Sequence, residues 1–437
     1  MTALIYWFRN DLRLHDNPAL VQACAQADSV MPVYCLGAAS AVHNGDARWG
    51  VMQASTLRQR VLLDSLLDLH QRLQALGSGL TVFAGTPAQV LPTLVRLLHV
   101  SEVHTEAIAA PRENDEIDAL RQGGCTVITT WQSTLLDAAD LPGGVAGLPQ
   151  VYSDFRQALL ARGCSARAPL PAPTQLPPLP QAAHGLATVD LVRQRAELGP
   201  LVDDPRSSLP VLDGAFSGGE TAALAHLARY FAGDLPHHYK ATRNQLSGVD
   251  FSSKCSGWLA SGALSVRLLA QALQQYQAAH GPTEGGEWLW RELLWREHFR
   301  WLHVQHGDKL FRYRGLRDKV PVLHHDPALF ARWCLGRTGQ PLVDAAMHEL
   351  LVSGYLSNRL RQVVASYLIH ALGCDWRAGA AWFEAQLIDY DVYNNQGNWL
   401  YIAGMGTDPR GGRHFDVAKQ TREHDPDGRY RQLWQQV

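Results

Sequence analysis

The chain has 437 residues, 46% hydrophobic and 18% charged, with a formal net charge of −2. That length and balance support two or three packed domains and exclude a disordered or strongly basic chain. No apolar run reaches membrane-spanning length and the start, MTALIYWFRNDLR, lacks the layout of a secretory signal, so a cytoplasmic protein is expected.

Residues 1–135 alternate short apolar, β-branched runs (ALIYWF, SVMPVYCL, LTVF, EVHT, TVITT) with amphipathic segments such as 53–76 and 87–99. This pattern predicts a Rossmann-like parallel α/β sheet with crossover helices. No GxGxxG follows the first strand, which argues against ordinary dinucleotide binding. Instead the strand runs into WFRNDLRLHDNPAL. Polar residues past a strand's carboxyl end suit a ligand, and Asp16 or Asn17 before Pro18 suits a helix cap. Residues 136–212 are broken by eight prolines between Pro142 and Pro180 and read as a connector with a short helix near 154–162. Seven cysteines, an odd number without a CxxC pair, argue against zinc, iron–sulfur or disulfide frameworks, and no metal site is expected.

From 213 to 437 helical periodicity dominates, giving an all-α second part. Ser252, Ser253, Lys254, Cys255 and Ser256 stand together after Tyr239 and Arg243. Clustered hydroxyls before a helix make an anion cradle, although a lone serine there is usually a plain cap. WLWRELLWREHFRWL buries Leu293, Leu294 and Leu302 on one stripe and carries Glu292, Trp295, Arg296 and Glu297. FRYRGLRDK (311–319) is a basic, aromatic run that suits either phosphate contact or a solvated loop. Next, 358–371 has helical apolar spacing with Asn358 and Arg361 on one face, and Trp376 closes the segment. A helix over AAWFEAQLI stops before Asp389 and Asp391, and NNQGNW reads as a polar turn leading to Trp399 and Tyr401. Acids, an arginine and amides in a mostly apolar frame need partners when buried. Either a buried ion pair or a large, flat, polar-edged cofactor would meet that need.

The order of these residues resembles the photolyase/cryptochrome family and, within it, the DASH cryptochromes, which act on single-stranded DNA. The resemblance also covers the opening WFRNDLRLHDNP. It implies a bent FAD in the helical part. Tyr239 and residues 252–256 (Ser252, Ser253, Lys254, Cys255, Ser256) match the pyrophosphate site. Asn358, Arg361, Asp389 and Asp391 match the groups around the flavin and its sugar chain, and Asn395 matches the asparagine facing flavin N5. Trp399 and Trp376 match the inner and middle members of an electron-transfer chain. The usual outer tryptophan corresponds to Leu323, which cannot carry a radical hop, so Trp333 or a nearby tyrosine is the substitute to consider. Glu292, Trp295, Gln362 and Tyr401 match the pocket for a pyrimidine dimer, and Arg243, Arg296 and Arg359 join the substrate-binding set. Arg296 is expected to approach a DNA phosphate. Glu113 matches the glutamate that holds a 5,10-methenyltetrahydrofolate antenna in some members, or is simply an acidic helix start.

The implied activity is blue-light-driven repair of cyclobutane pyrimidine dimers, mainly in single strands, by a monomer. Tyr401 and Gln362 make a less apolar pocket than the tryptophan and methionine of double-strand-acting photolyases, which leaves less to offset the unpairing cost of a few kcal/mol. From residue 213 onward 24 Lys+Arg face 22 Asp+Glu, so DNA contact has to come from a local groove. The rival expectation is a non-catalytic blue-light photoreceptor acting through partner binding. The lack of a long segment beyond Trp434 weighs against it.

Overall fold

The computed structural model describes residues 2–37, 47–51, 54–212, 214–318 and 324–435. Five strands form one parallel sheet: β1 (Ala3–Trp7), β2 (Ser29–Leu36), β3 (Thr81–Ala84), β4 (Glu102–Glu106) and β5 (Val127–Thr130), in the order β3-β2-β1-β4-β5. Ile5 pairs with Met31 on one side and Val103 on the other. Successive side chains alternate faces, so Leu4, Tyr6 and Phe8 pack into one apolar layer and Ile5 and Trp7 into the opposite one. A parallel sheet covered on both faces accounts for the nearly unbroken apolar strands. Asn17 caps the helix Pro18–Gln26, its side chain accepting from the Leu20 amide at 3.1 Å.

The polar run after β1 is used inside the molecule. Asp11 accepts from the Tyr6 hydroxyl (2.5 Å) and the Gln132 amide (3.1 Å). Arg13 donates to the Gly262 carbonyl (2.9 Å), and His15 meets the buried Glu220. These contacts tie the carboxyl edge of the sheet to the helical part, which satisfies charges that burial alone would penalise. The proline-rich connector carries the helices Tyr152–Ala161 and Leu191–Glu197 between irregular stretches.

The helical part is organised around the helix Glu284–His306. Leu293, Leu294, Phe299, Trp301 and Leu302 on it are all buried. Glu297, fully buried beside them, accepts from the Leu135 and Leu136 amides (2.8 and 3.2 Å) and the Trp301 indole (2.7 Å), so it locks the connector's start onto the core. Two sequence expectations need correction. NNQGNW is not a turn: it lies in the helix Val392–Ala403. Asp391 caps that helix by accepting from the Asn394 amide at 2.8 Å, and Gly397 is there because a Cβ would strike the Phe299 ring. Trp376 does not close the preceding segment but opens the helix Trp376–Gln386, capped by Asp375. The preceding helix, Asn358–Ser366, runs into a π turn, Tyr367–Ala371, instead. Among the described residues, no helix is long and apolar enough to cross a membrane.

Candidate cofactor and substrate cavity

The helical part encloses a cavity of about 440 Å³, inside the roughly 300–1,000 Å³ range of ligand and cofactor sites. Tyr239, Ser252, Ser253, Lys254, Cys255, Ser256, Asn358, Arg361, Asp389, Asp391 and Asn395 all line it. They come from segments far apart in the chain, and each is positioned by a local cause.

The 252–256 loop turns back at Lys254, whose φ of 54° lies in the left-handed region that few non-glycine residues adopt. The turn buries the lysine side chain. Its Nζ sits 3.5 Å from the Phe251 ring centroid and 3.3 Å from the Tyr355 hydroxyl. Burial pulls the ammonium down to about 7. Behind it, Glu349 accepts from the Tyr430 (2.5 Å) and Ser208 (3.2 Å) hydroxyls, and burial pushes its carboxyl up to about 7.

Ser357 caps the helix that carries Asn358 and Arg361. Arg361 Nη2 reaches both oxygens of Asp389, at 3.0 and 2.8 Å, and its Nε donates to the Leu356 carbonyl at 2.9 Å. Asp391 receives Arg300 Nη2 at 2.6 Å. Burial works to raise the Asp391 carboxyl, but Arg300 and Arg296 hold it below the usual range. Asn395 donates to the Ala380 carbonyl at 3.1 Å. Trp399 lines the cavity, leans on Gly379, and lies edge-on to Phe383 (5.2 Å) and Trp333 (6.4 Å).

Glu292, Trp295, Gln362 and Tyr401 line the same cavity. Burial raises the Glu292 carboxyl, while Arg243, 2.5 Å away, pulls it back. Trp295 stacks on Tyr152 (3.7 Å, 13°) and meets Tyr401 edge-on at 5.7 Å. The Tyr401 hydroxyl accepts from Arg413 at 2.7 Å, and the Gln362 amide oxygen accepts from Arg359 at 3.3 Å.

Other expected residues are buried, turned away or outside the cavity. Arg296 lines the cavity but is 8% exposed and donates to the Ser133 carbonyl at 2.7 Å. That corrects its expected approach to a DNA phosphate, because a buried guanidinium turned inward cannot meet a strand passing outside. Arg359 is outside the lining, donating to Asn244 at 3.0 Å. Trp376 is fully buried with its indole N–H on the Tyr313 carbonyl at 3.0 Å. Glu113 stands in the first turn of the helix Pro111–Gln122, away from the cavity. Leu323 is outside the described residues. In the basic run, Arg317 is spent on the Gly404 and Asp408 carbonyls, at 2.8 and 2.5 Å. Sequence reasoning missed Arg300, Tyr355 and Glu349. Only Arg300 left a signal, one helical turn beyond Arg296 on a buried helix.

The donor set fits FAD. Hydroxyls and a lysine suit a pyrophosphate, carboxylates suit sugar hydroxyls, and Arg361, Asn395 and Trp399 suit the edge and face of a flavin ring. Comparison with known proteins agrees in kind. A family model described as the FAD binding domain of DNA photolyase matches residues 288–436, and one described as DNA photolyase matches residues 4–176. A Cryptochrome DASH of Gloeobacter violaceus is 41% identical over 99% of this chain and 85% of its own length. One of Xenopus laevis is 40% identical over 99% and 82%. The crystal structure of a Synechocystis sp. PCC6803 cryptochrome superimposes with a TM-score of 0.90 at 38% identity, covering 99% of this chain and 88% of that one.

Proposed function

Because the chain belongs to the photolyase/cryptochrome family and groups with its DASH cryptochromes, we propose that it is a deoxyribodipyrimidine photo-lyase repairing cyclobutane pyrimidine dimers under blue light, mainly in single-stranded DNA. One observation carries this reading. The residues suited to FAD and the residues suited to a pyrimidine dimer line a single continuous cavity, so donor and acceptor can sit within one enclosed space.

Tyr239, residues 252–256, Asn358, Arg361, Asp389, Asp391 and Asn395 would hold the cofactor. Reduced FAD held there would supply light-driven one-electron chemistry that is redox-neutral overall. The chain's own residues do the rest. Arg361, oriented by Asp389, would present its guanidinium to the flavin from the cavity wall. Trp295 and Tyr401 form an edge-to-face wall against which a flipped dimer can stack. Glu292, raised by burial, meets the carbonyl and imide edge of the dimer and stabilises the charge that gathers there. Trp399 and Trp376, both buried, would relay electrons toward the cavity. Gln362 leaves the pocket partly polar, which supports the preference for a strand that needs no unpairing.

Division at 1–135, 136–212 and 213–437 is part of the same proposal, supported by the two apolar layers on the sheet, while the core of the helical part also takes in Ile108, Leu135, Leu148 and Phe155 from the first part and the connector. A folate antenna at Glu113, a monomeric state and a cytoplasmic location are kept as its further parts. The discriminating experiment is blue-light repair of thymine-dimer oligonucleotides by the purified flavoprotein, on single and double strands. Restoration of single strands at a higher rate supports the reading. Dimer binding without restoration on either substrate would turn the assignment to a photoreceptor.

A further inference from the structure

Behind the Trp295–Tyr401 wall lies a second cavity of about 120 Å³. Trp295, Phe299 and Tyr401 line both spaces, so a single layer of rings separates them. The second cavity has the bulk of about four waters at ~30 Å³ each, which suits one flat heterocycle and not a whole nucleoside. Its walls combine rings with aliphatic side chains such as Leu302, Leu310 and Leu400, and the rings include Tyr152 and Trp295, stacked on each other with centroids 3.7 Å apart. Tyr152 is fixed by its hydroxyl, which donates to the Arg291 carbonyl at 2.7 Å. The two imidazoles in the wall, His298 and His303, are pushed by burial to about 4, so the interior is uncharged at neutral pH.

The mouth has the opposite character. Asp408 is buried and takes two guanidiniums, Arg410 at 3.0 Å and Arg413 at 3.6 Å, which leaves one net positive charge there. The Arg410 side chain is 62% exposed. An uncharged slot with rings in its wall and a cationic mouth matches a base attached to a phosphate.

We infer that this second cavity is a subsite for one unpaired nucleobase of the damaged strand, the neighbour of the dimer, with Arg410 at its phosphate. The inference rests on the proposed reading of the main cavity and deepens it. Because one ring layer divides the two spaces, adjacent nucleotides of one strand can enter both. A base can enter only if it has left its partner and its stack, which a single strand offers freely and a duplex does not. The strand preference would then be built into a second pocket as well as into Gln362 and Tyr401.

The test is dark binding of short single strands with a central thymine dimer to the FAD-loaded protein, read by fluorescence anisotropy. The dimer is flanked by normal bases, or by an abasic residue on its 5′ or its 3′ side. Loss of the base on one side should weaken binding roughly tenfold, and loss on the other side should not. Ser153→Trp, at an exposed position lining the slot, should bring the intact strand down to the abasic level while leaving a bare dimer dinucleotide unaffected. A wild-type protein that prefers dimer to undamaged strand, yet ignores both abasic flanks, overturns the subsite and leaves the repair reading standing. A protein with no preference for the dimer at all removes both.

Discussion

Trp399 and Trp376 differ in what surrounds them, and that difference is testable. Trp399 faces the cavity and touches Phe383 and Trp333, while Trp376 is sealed with its indole on Tyr313. On the reading that sets Leu323 against the family's outer tryptophan, Trp333 is a poor exit because it is fully buried. Tyr313 is half-buried and carries Arg377 over its ring at 5.1 Å. Phenylalanine at 399 or 376 should abolish blue-light reduction of bound FAD, and Tyr313→Phe should slow it, with FAD content unchanged in each. Absorption spectra before and after illumination check this. Glu292 is expected to act through its carboxyl edge. Glu292→Ala should cut repair about 100-fold with little loss of FAD, and Glu292→Gln should recover part of it, since an amide keeps one hydrogen bond. Equal activity in all three would exclude Glu292 from the chemistry.

The helix Val392–Ala403 shows how a motif whose residues gather at one cavity can still be misread for shape. Asp391, Asn395 and Trp399 stood out as candidate site residues from their order, but the polar, glycine-containing run between them looks like a turn. It is helical because Asp391 caps its start and because Gly397 lets the helix approach Phe299 closely. Helical spacing then puts Asn395 and Trp399, four residues apart, on one face. Gly397→Ala should cost about 1–3 kcal/mol by overpacking, although alanine normally favours a helix by about 1 kcal/mol. Denaturant unfolding gives the sign: stabilisation would mean that the close approach is not felt.

At the junction of sheet and helices, Glu106 is 1% exposed and its Oε2 has no hydrogen-bond partner. Burial first, then neighbouring Asp11, push its carboxyl to about 8, against Arg13, Arg300 and Arg9. From pH about 4.5 to about 8 the unfolded chain releases this proton while the folded chain keeps it. Stability should therefore fall as pH rises through that window and level off above it. Glu106→Gln should remove that part of the slope in thermal or denaturant unfolding; an unchanged slope would mean that the carboxyl is ionised in the fold. DNA binding should depend modestly on salt. With two or three phosphate contacts at about −0.7 each on single strands, the log–log slope should lie near −2. A slope of −5 or steeper would require a basic surface that a net charge of −2 does not suggest.

Much of this molecule was readable in one dimension, for a physical reason. Strands announce themselves by β-branched runs and helices by spacing, so all five strands were located along the chain and the two halves were distinguishable in character. The candidate site residues came from an order shared with a family, not from isolated residues declaring a role, and most of them line one cavity. What the chain order could not carry is which charges meet. Arg300 with Asp391, Glu297 with the amides at 135 and 136, and Arg296 turned inward to Ser133 are pairings between positions about 90 to 160 residues apart. Burial sets their energies, and burial exists only once the helices have packed. The second cavity belongs with them, since a void is a property of the space between elements and has no residues of its own.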